Sequence, residues 1–561
     1  MRLATTLLAA VSVLALLQGC ASTAESTRSP SRSRTSSSSE RRVAQNSSTG
    51  FTGAFQTATS VTEGSVDVAG TTIRYRAVAG RIIVHSPGGA DTGAAKRRGG
   101  ASAVQPEAAM FYVAYLQEGD MPERRPVTFL FNGGPGSASV WLHMGAFGPR
   151  RVITGDDTLA PSAPVRVVSN EFTLLDASDL VFVDAPGTGF GRIGGKDAKG
   201  VFYGTDADVS AFARFVTDFL SQYGRWNSPK YLVGEGYGAA RAAALINALE
   251  TRDDTDFNGI ILLSPVLNSE FLGSSRHLDR FNPGLDLPYE LALPSFAAAA
   301  WYHHKLPSGR QALEPLLEKV RHFALTSYAR ALREGSLLSP SRRSALIEQL
   351  HQYTGLPVSY IDKANLRIDS GEFEKELLGA SDATLSQLDS RIAGPSMDSL
   401  SERAGYDPQD AAVSAAYVSA FNQYVRETLH FGYGLTYEST VPVLGRWSFW
   451  HAPPGQSDAV QQWANVMPDL ANALKYDPRL KIMVNEGYFD LSTPFMQGWY
   501  EMHHLQIPPT LQRNIEYHFY RCGHMGFVQL PQLERVHDQV AGFIAATEGS
   551  GPARARNAAM D

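Results

Sequence analysis

The run KYLVGEGYGAAR, Lys230 to Arg241, constrains the fold more than any other stretch of the chain. An apolar strand passes into three alternating glycines, Gly234, Gly236 and Gly238, and then into an alanine-rich helix. Small residues at alternate positions suit a tight strand-to-helix turn, where backbones approach closely and one residue adopts angles that side chains resist. Such turns usually present a nucleophile in the pattern G-x-S-x-G. Here the central residue is Gly236, between Glu235 and Tyr237, and no other G-x-S-x-G occurs in the chain. The turn is expected and the hydroxyl is missing.

The flanking sequence repeats the device. PVTFLFNGGPGSASVW holds an apolar strand, Val127 to Phe131, that breaks into Asn132-Gly133-Gly134-Pro135-Gly136, and ASDLVFVDAPGTGFGR does the same after Leu180 to Val183. GIILLSPVL, Gly259 to Leu267, reads as a further strand. Upstream, TTIRYRAVAGRIIVH and AAMFYVAYLQEG cluster β-branched and aromatic residues between glycines, as hairpin strands do. In DADVSAFARFVTDFLSQY, Phe212, Phe215, Val216, Phe219 and Leu220 fall on one helical face. Short buried strands alternating with helices imply an α/β architecture with a mostly parallel sheet.

From Asn268 to Gly434 the pattern changes to Ala, Leu, Glu, Arg and Tyr, as in LPSFAAAAWYHHKL and DAAVSAAYVSAFNQYVRETL. Strand-plus-turn character returns in RLKIMVNEGYFDLSTPF and IEYHFYRCGHMGFVQLP. A sheet domain of residues 61–267 and 435–548, interrupted by a helical cap at 268–434, fits this order better than two successive domains. Such insertions usually cover a site at the carboxyl ends of the strands. A length of 561 residues with 43% apolar content can bury the core that this requires. The net charge of −6 gives no basis for a nucleic-acid partner.

The N-terminus, MRLATTLLAAVSVLALLQGC, has Arg2, an apolar run from Leu7 to Leu17 and then Cys20, the layout of an export signal over residues 1–20. The apolar run is short for a membrane span. Leu17-Gln18-Gly19-Cys20 resembles a bacterial lipoprotein signal, which implies lipidation of Cys20, a membrane anchor and a periplasmic location. A cleaved secretory signal ending near a cysteine is the alternative. Residues 21–60, rich in Ser and Arg, cannot bury enough surface to offset ordering entropy and read as a tether. A flexible tail is expected at 549–561. With Cys20 acylated, Cys522 has no partner for a disulfide.

Five stretches, FNGGPGSASVWLHMGAFGPRRV, VFVDAPGTGFGR, GEGYGAAR, NEGYFDLSTPF and CGHMGF, occur in the order and approximate spacing of the serine carboxypeptidase family (peptidase S10) and resemble its bacterial branch, over roughly Phe111 to Ile544. The resemblance implies an α/β-hydrolase fold and release of C-terminal amino acids from peptides through an acyl-enzyme. It assigns Asp490 to the triad acid and His524 to the triad histidine, and it puts Gly236 at the serine position. It also implies an oxyanion hole from the Gly134 and Tyr237 N–H groups. Asn132, the Gly133 N–H and Glu235 would hold the carboxylate of a peptide with a free C-terminus. A second family glutamate that supports this carboxylate site has no clear counterpart in SASVWLHMGAFGP. No cofactor or metal is implied. The pairs His303-His304 and His503-His504 point about 100° apart on a helix, without a carboxylate partner in the motif.

Glycine tolerates angles that cost other residues roughly 1–3 kcal/mol, so Gly236 keeps the turn while removing the atom that forms the acyl-enzyme. Two readings stay open: an impaired carboxypeptidase-type enzyme, and a pseudo-hydrolase that binds peptides or acyl groups without turnover.

Overall fold

The computed structural model describes residues 57–85, 107–119, 122–155, 164–271, 283–309, 311–456, 458 and 464–548. The export signal with Cys20, the tether up to residue 56 and the tail at 549–561 lie outside the described residues.

One large sheet organises the rest. Its strands are β1 (Thr59–Val68), β2 (Thr71–His85), β3 (Glu107–Gln117), β4 (Val127–Phe131), β5 (Asp179–Val183), β6 (Lys230–Glu235), β7 (Gly259–Leu263), β8 (Lys481–Gly487) and β9 (Ile515–Tyr520). They lie in the order β1-β2-β3-β5-β4-β6-β7-β8-β9, and a short strand at Arg192–Gly194 pairs with the start of β3. The first three strands are antiparallel, as is the β3–β5 pair, and from β5 to β9 every pairing is parallel. This is the mostly parallel sheet of an α/β-hydrolase fold. The reading of Gly259 to Leu267 as one strand overruns: β7 ends at Leu263, where Ser264 takes φ 46° and turns the chain away.

The parallel strands are buried on both faces, which is why they read as unbroken apolar runs. On one face, Phe129, Leu232, Ile260 and Ile482 pack with helices α1 (Thr205–Tyr223) and α2 (Tyr237–Arg252). Phe212, Phe215, Val216, Phe219 and Leu220 of α1 all lie in this layer, each worth roughly 1.5–3 kcal/mol relative to exposure. On the other face, Leu130, Tyr231, Val233, Ile261 and Met483 pack with a π-helical turn at Leu142–Phe147 and with the C-terminal helix, Leu530–Thr547.

Residues 268–434 divide between two environments. Helix α3 (Leu287–Tyr302) and the helices after it, to about Leu385, build a separate core that meets the sheet domain at Phe489, Leu491, Phe495 and Met496. Helix α4 (Pro408–Glu427) buries Val413, Tyr417, Phe421 and Tyr424 in the sheet's own second core. An apolar stripe of helical period does not specify which core it faces, so sequence alone could not separate the two.

Candidate active site

Parallel register brings the strand ends to one edge: Phe131 lies beside Gly234, Leu263 beside Glu235 and Asn485, and Gly487 beside Tyr520. The loops leaving these ends carry Asn132, Gly236, Asp490 and His524, which are far apart in sequence. Gly236 caps α2 at φ 58°, ψ −121°, angles that favour glycine. Its N–H donates to Leu263 O at 3.0 Å, and its carbonyl accepts from Ala239 N–H at 3.0 Å.

The neighbouring glycines are required for a different reason. A Cβ on Gly234 would stand 2.1 Å from Gly238 O, and one on Gly133 would stand 2.5 Å from Gly238 N, contacts with backbone that cannot yield. A Cβ on Gly236 would meet only a side chain, His524, at 2.9 Å from Nε2 and 3.2 Å from Cε1. Position 236 therefore has room for a side chain once the imidazole draws back, at the cost of a strained φ, and positions 133 and 234 have none.

His524 and Asp490 are brought together. The His524 Nδ1–H donates to Asp490 Oδ2 at 2.7 Å, the acid being fully buried and the histidine largely so. Asp490 Oδ1 also accepts from the Ser492 and Thr493 N–H groups at 2.8 and 2.9 Å, and Thr493 Oγ1–H donates to Oδ2 at 2.8 Å. Four donors satisfy the buried carboxylate and fix the ring so that Nε2 is the nitrogen facing Gly236. Burial alone pulls the imidazole down, but the charge and hydrogen bond of Asp490, with the charges of Glu235 and Asp407, outweigh it and push His524 up to about 9.

A loop that sequence reasoning missed holds this pair in place. Leu388 O accepts the His524 N–H at 2.6 Å, Gln387 O accepts the Leu491 and Ser492 N–H groups at 3.0 Å, and Ser390 N–H donates to Phe489 O at 2.9 Å. Asp407, the N-cap of α4, anchors the loop by accepting from Ser386 Oγ–H at 2.9 Å and Gln387 N–H at 2.7 Å. The one signal in the sequence was Asp407-Pro408, a cap followed by a first-turn proline.

Asn132 and Glu235 also meet: Asn132 Nδ2–H donates to Glu235 Oε2 and Asn132 Oδ1 accepts from Leu142 N–H at 3.1 Å. Glu235 Oε1 is buried with no protein partner. Burial raises the Glu235 carboxyl foremost, His524 and Asn132 pull it down, Asp490 pushes it up, and the balance is about 7. Beneath them Arg241 Nη1–H donates to Asn132 O at 2.7 Å and its Nε–H to Asp208 Oδ2 at 2.6 Å, in a fully buried ion pair. Nothing in the sequence marked Arg241 beyond its place in the alanine-rich helix.

One cavity of about 730 Å³ is lined by Asn132, Gly133, Gly134, Glu235, Gly236, Tyr237 and His524 together with Trp141, Leu388, Phe449 and others. Gly134 sits at φ 106°. Tyr237 opens α2, so its N–H has no acceptor within the helix. Asp490 stands behind His524. The histidine pairs sit at helix ends: His303 and His504 are C-caps, His503 is the last residue of its helix, and His304 has φ 56°. His303 Nε2 faces Ser390 O at 2.7 Å, and His504 stacks on Tyr500. Chemically, the arrangement offers a histidine that can take up a proton at Nε2, backbone N–H groups beside it, and an amide–carboxyl pair in the same cavity.

Residues 87–550 match the family described as serine carboxypeptidase, Peptidase_S10. Serine carboxypeptidase-like 36 of Arabidopsis thaliana is 26% identical over 214 residues, 36% of this chain and 42% of that protein, so the match spans less than half of the relative's length. Among solved structures, Kex1(delta)p, a prohormone-processing carboxypeptidase from Saccharomyces cerevisiae, is similar with a TM-score of 0.50 and 14% identity, over 84% of this chain and 92% of that one. At that identity the likeness shows the fold.

Proposed function

The chain belongs to the serine carboxypeptidase family, and from that premise we propose that its cavity holds the C-terminal end of a peptide on a scaffold whose reaction is release of C-terminal residues through an acyl-enzyme. In this reading His524 is the general base, Asp490 fixes its tautomer, and the Gly134 and Tyr237 N–H groups receive the oxyanion. Asn132, the Gly133 N–H and a protonated Glu235 hold the terminal carboxylate. The orphan Glu235 Oε1 supports this, since a protonated carboxyl can donate where an ionised one would repel.

One observation carries the reading. Gly236 has the backbone of a nucleophile elbow, with its missing Cβ directed at His524 Nε2. The chain as written therefore lacks the hydroxyl that would be acylated, and its turnover is impaired. The same residue favours the second reading, a pseudo-hydrolase that binds peptides or acyl groups. We also propose export as a lipoprotein anchored through Cys20, facing the periplasm, which absence of acyl groups on the mature N-terminus by mass spectrometry would refute.

The test is a fluorophosphonate probe applied to the chain and to Gly236→Ser. The serine variant labels at residue 236 and the unaltered chain does not. Labelling of the unaltered chain at a serine beside His524 would overturn the lost-nucleophile reading.

A further inference from the structure

The segment from Thr436 to His451 forms one wall of the cavity, contributing Ser439, Thr440, Leu444 and Phe449. Apart from a 3-10 turn at Leu444–Arg446 it has no helix or extended strand of its own, so its position depends on what ties it down. Glu438 exchanges both backbone hydrogen bonds with Gly189, at 2.8 and 2.9 Å. Val441 N–H donates to Gly136 O at 2.8 Å, and Ser448 O accepts from Thr205 N–H at 2.9 Å. Trp447 stands edge-on to Tyr237, ring centroids 5.5 Å apart, so the strap touches the residue that follows Gly236.

The strap ends at His451, which is 3% exposed. Its Nδ1 lies 2.5 Å from Asp206 Oδ1 and its Nε2 2.8 Å from Asp469 Oδ2. With both carboxyls ionised they only accept, so both ring nitrogens donate and the ring is an imidazolium. Asp206 also takes the Ala452 N–H at 3.0 Å, and Asp469 takes Asn247 Nδ2–H at 3.1 Å. Asp206 and Asn247 stand on α1 and α2, and Asp469 stands on a helix at Met467–Tyr476. The wall is thus tied by one side chain to two helices of the sheet domain, and through Asp469 to a third.

We propose that His451, as an imidazolium between Asp206 and Asp469, is a positioning residue that fixes the strap at residues 436–451 and so sets the cavity wall that grips a peptide. The last clause rests on the function proposed above; the tie itself does not. Burial alone pulls His451 down, and its bonds to Asp206 and Asp469 with their charges push it up to about 9. Burial raises Asp469, against the pull of His451. The folded value lies above the unfolded one of about 6.5, so the tie is fully present below about pH 6.5 and is lost as pH climbs through 9. Asp206 is 43% exposed, so salt weakens its half of the tie.

Hydrogen exchange on the full chain reads this directly. In His451→Gln and Asp469→Asn, amides of the strap exchange at least tenfold faster, while those around Asp490 and His524 keep their rates. In the unaltered chain, strap protection corrected for intrinsic base catalysis falls between pH 6.5 and 9, and nitrogen-15 spectra show a doubly protonated His451 ring at pH 7.5. Unchanged strap exchange in both variants, or a His451 ring titrating near 6.5, overturns the proposal. Calorimetry with a free-acid peptide separates the two readings: strap exchange that responds as expected in a chain that binds no peptide upholds the tie and removes the peptide.

Discussion

His524 and His451 are both bonded to aspartates and both pushed up to about 9, yet their ring nitrogens are spent differently. His524 spends one nitrogen on Asp490 and turns the other to Gly236 and the cavity. His451 spends both nitrogens on carboxylates and is buried. An imidazole with one committed nitrogen is a reagent, because its free nitrogen can gain and lose a proton at a substrate. With both committed it is a tie, and losing a proton breaks it. Burial and a raised pKa do not distinguish the two, whereas the count of partners does.

The strongest way to sharpen this contrast is to give His524 something to act on. Gly236→Ser should take fluorophosphonate labelling from undetectable to complete, since loss of the nucleophile in a related triad costs on the order of 10⁶ in turnover. A serine variant that stays unlabelled would mean that the free nitrogen of His524 is no longer a working base. Next in size is the removal of the acid: adding Asp490→Asn to the serine variant should lower its labelling rate on the order of 10⁴-fold by admitting the wrong tautomer. A loss of less than tenfold would show that Asp490 is a structural partner, like Asp469.

The pH profile of the serine variant is the third test. His524 acts only when deprotonated, so labelling should rise about tenfold per pH unit and level off near 9. A plateau already reached at pH 6.5 would contradict the charge balance around the ring. The smallest effect concerns ligand binding in the chain as it stands. Glu235, near 7 when the cavity is free, donates to a peptide carboxylate only when protonated. Calorimetry should show affinity strengthening as pH falls toward 7 and levelling off below it, weaker binding of the C-terminal amide, and a flat profile for Glu235→Gln. Affinity that rises with pH would remove the carboxylate from the cavity.

Sequence by itself determined the parallel sheet, the turn at Gly236 and the loops that carry Asn132, Asp490 and His524. These depend on local chemistry: strands buried on both faces are apolar throughout, and a tight turn admits glycine where backbones touch, as at Gly133 and Gly234. Tertiary structure decided the rest. It placed α4 against the sheet's core, set Arg241 under Asn132, and made the loop at residues 386–391 the brace between Asp490 and His524. It also decided which histidine keeps a nitrogen for the cavity and which has both nitrogens occupied, for Asp206 lies 245 positions from His451 and Asp490 lies 34 from His524. A side chain's partners are set by which distant segments the sheet brings to one edge, and no local pattern records how many of its nitrogens will be occupied there.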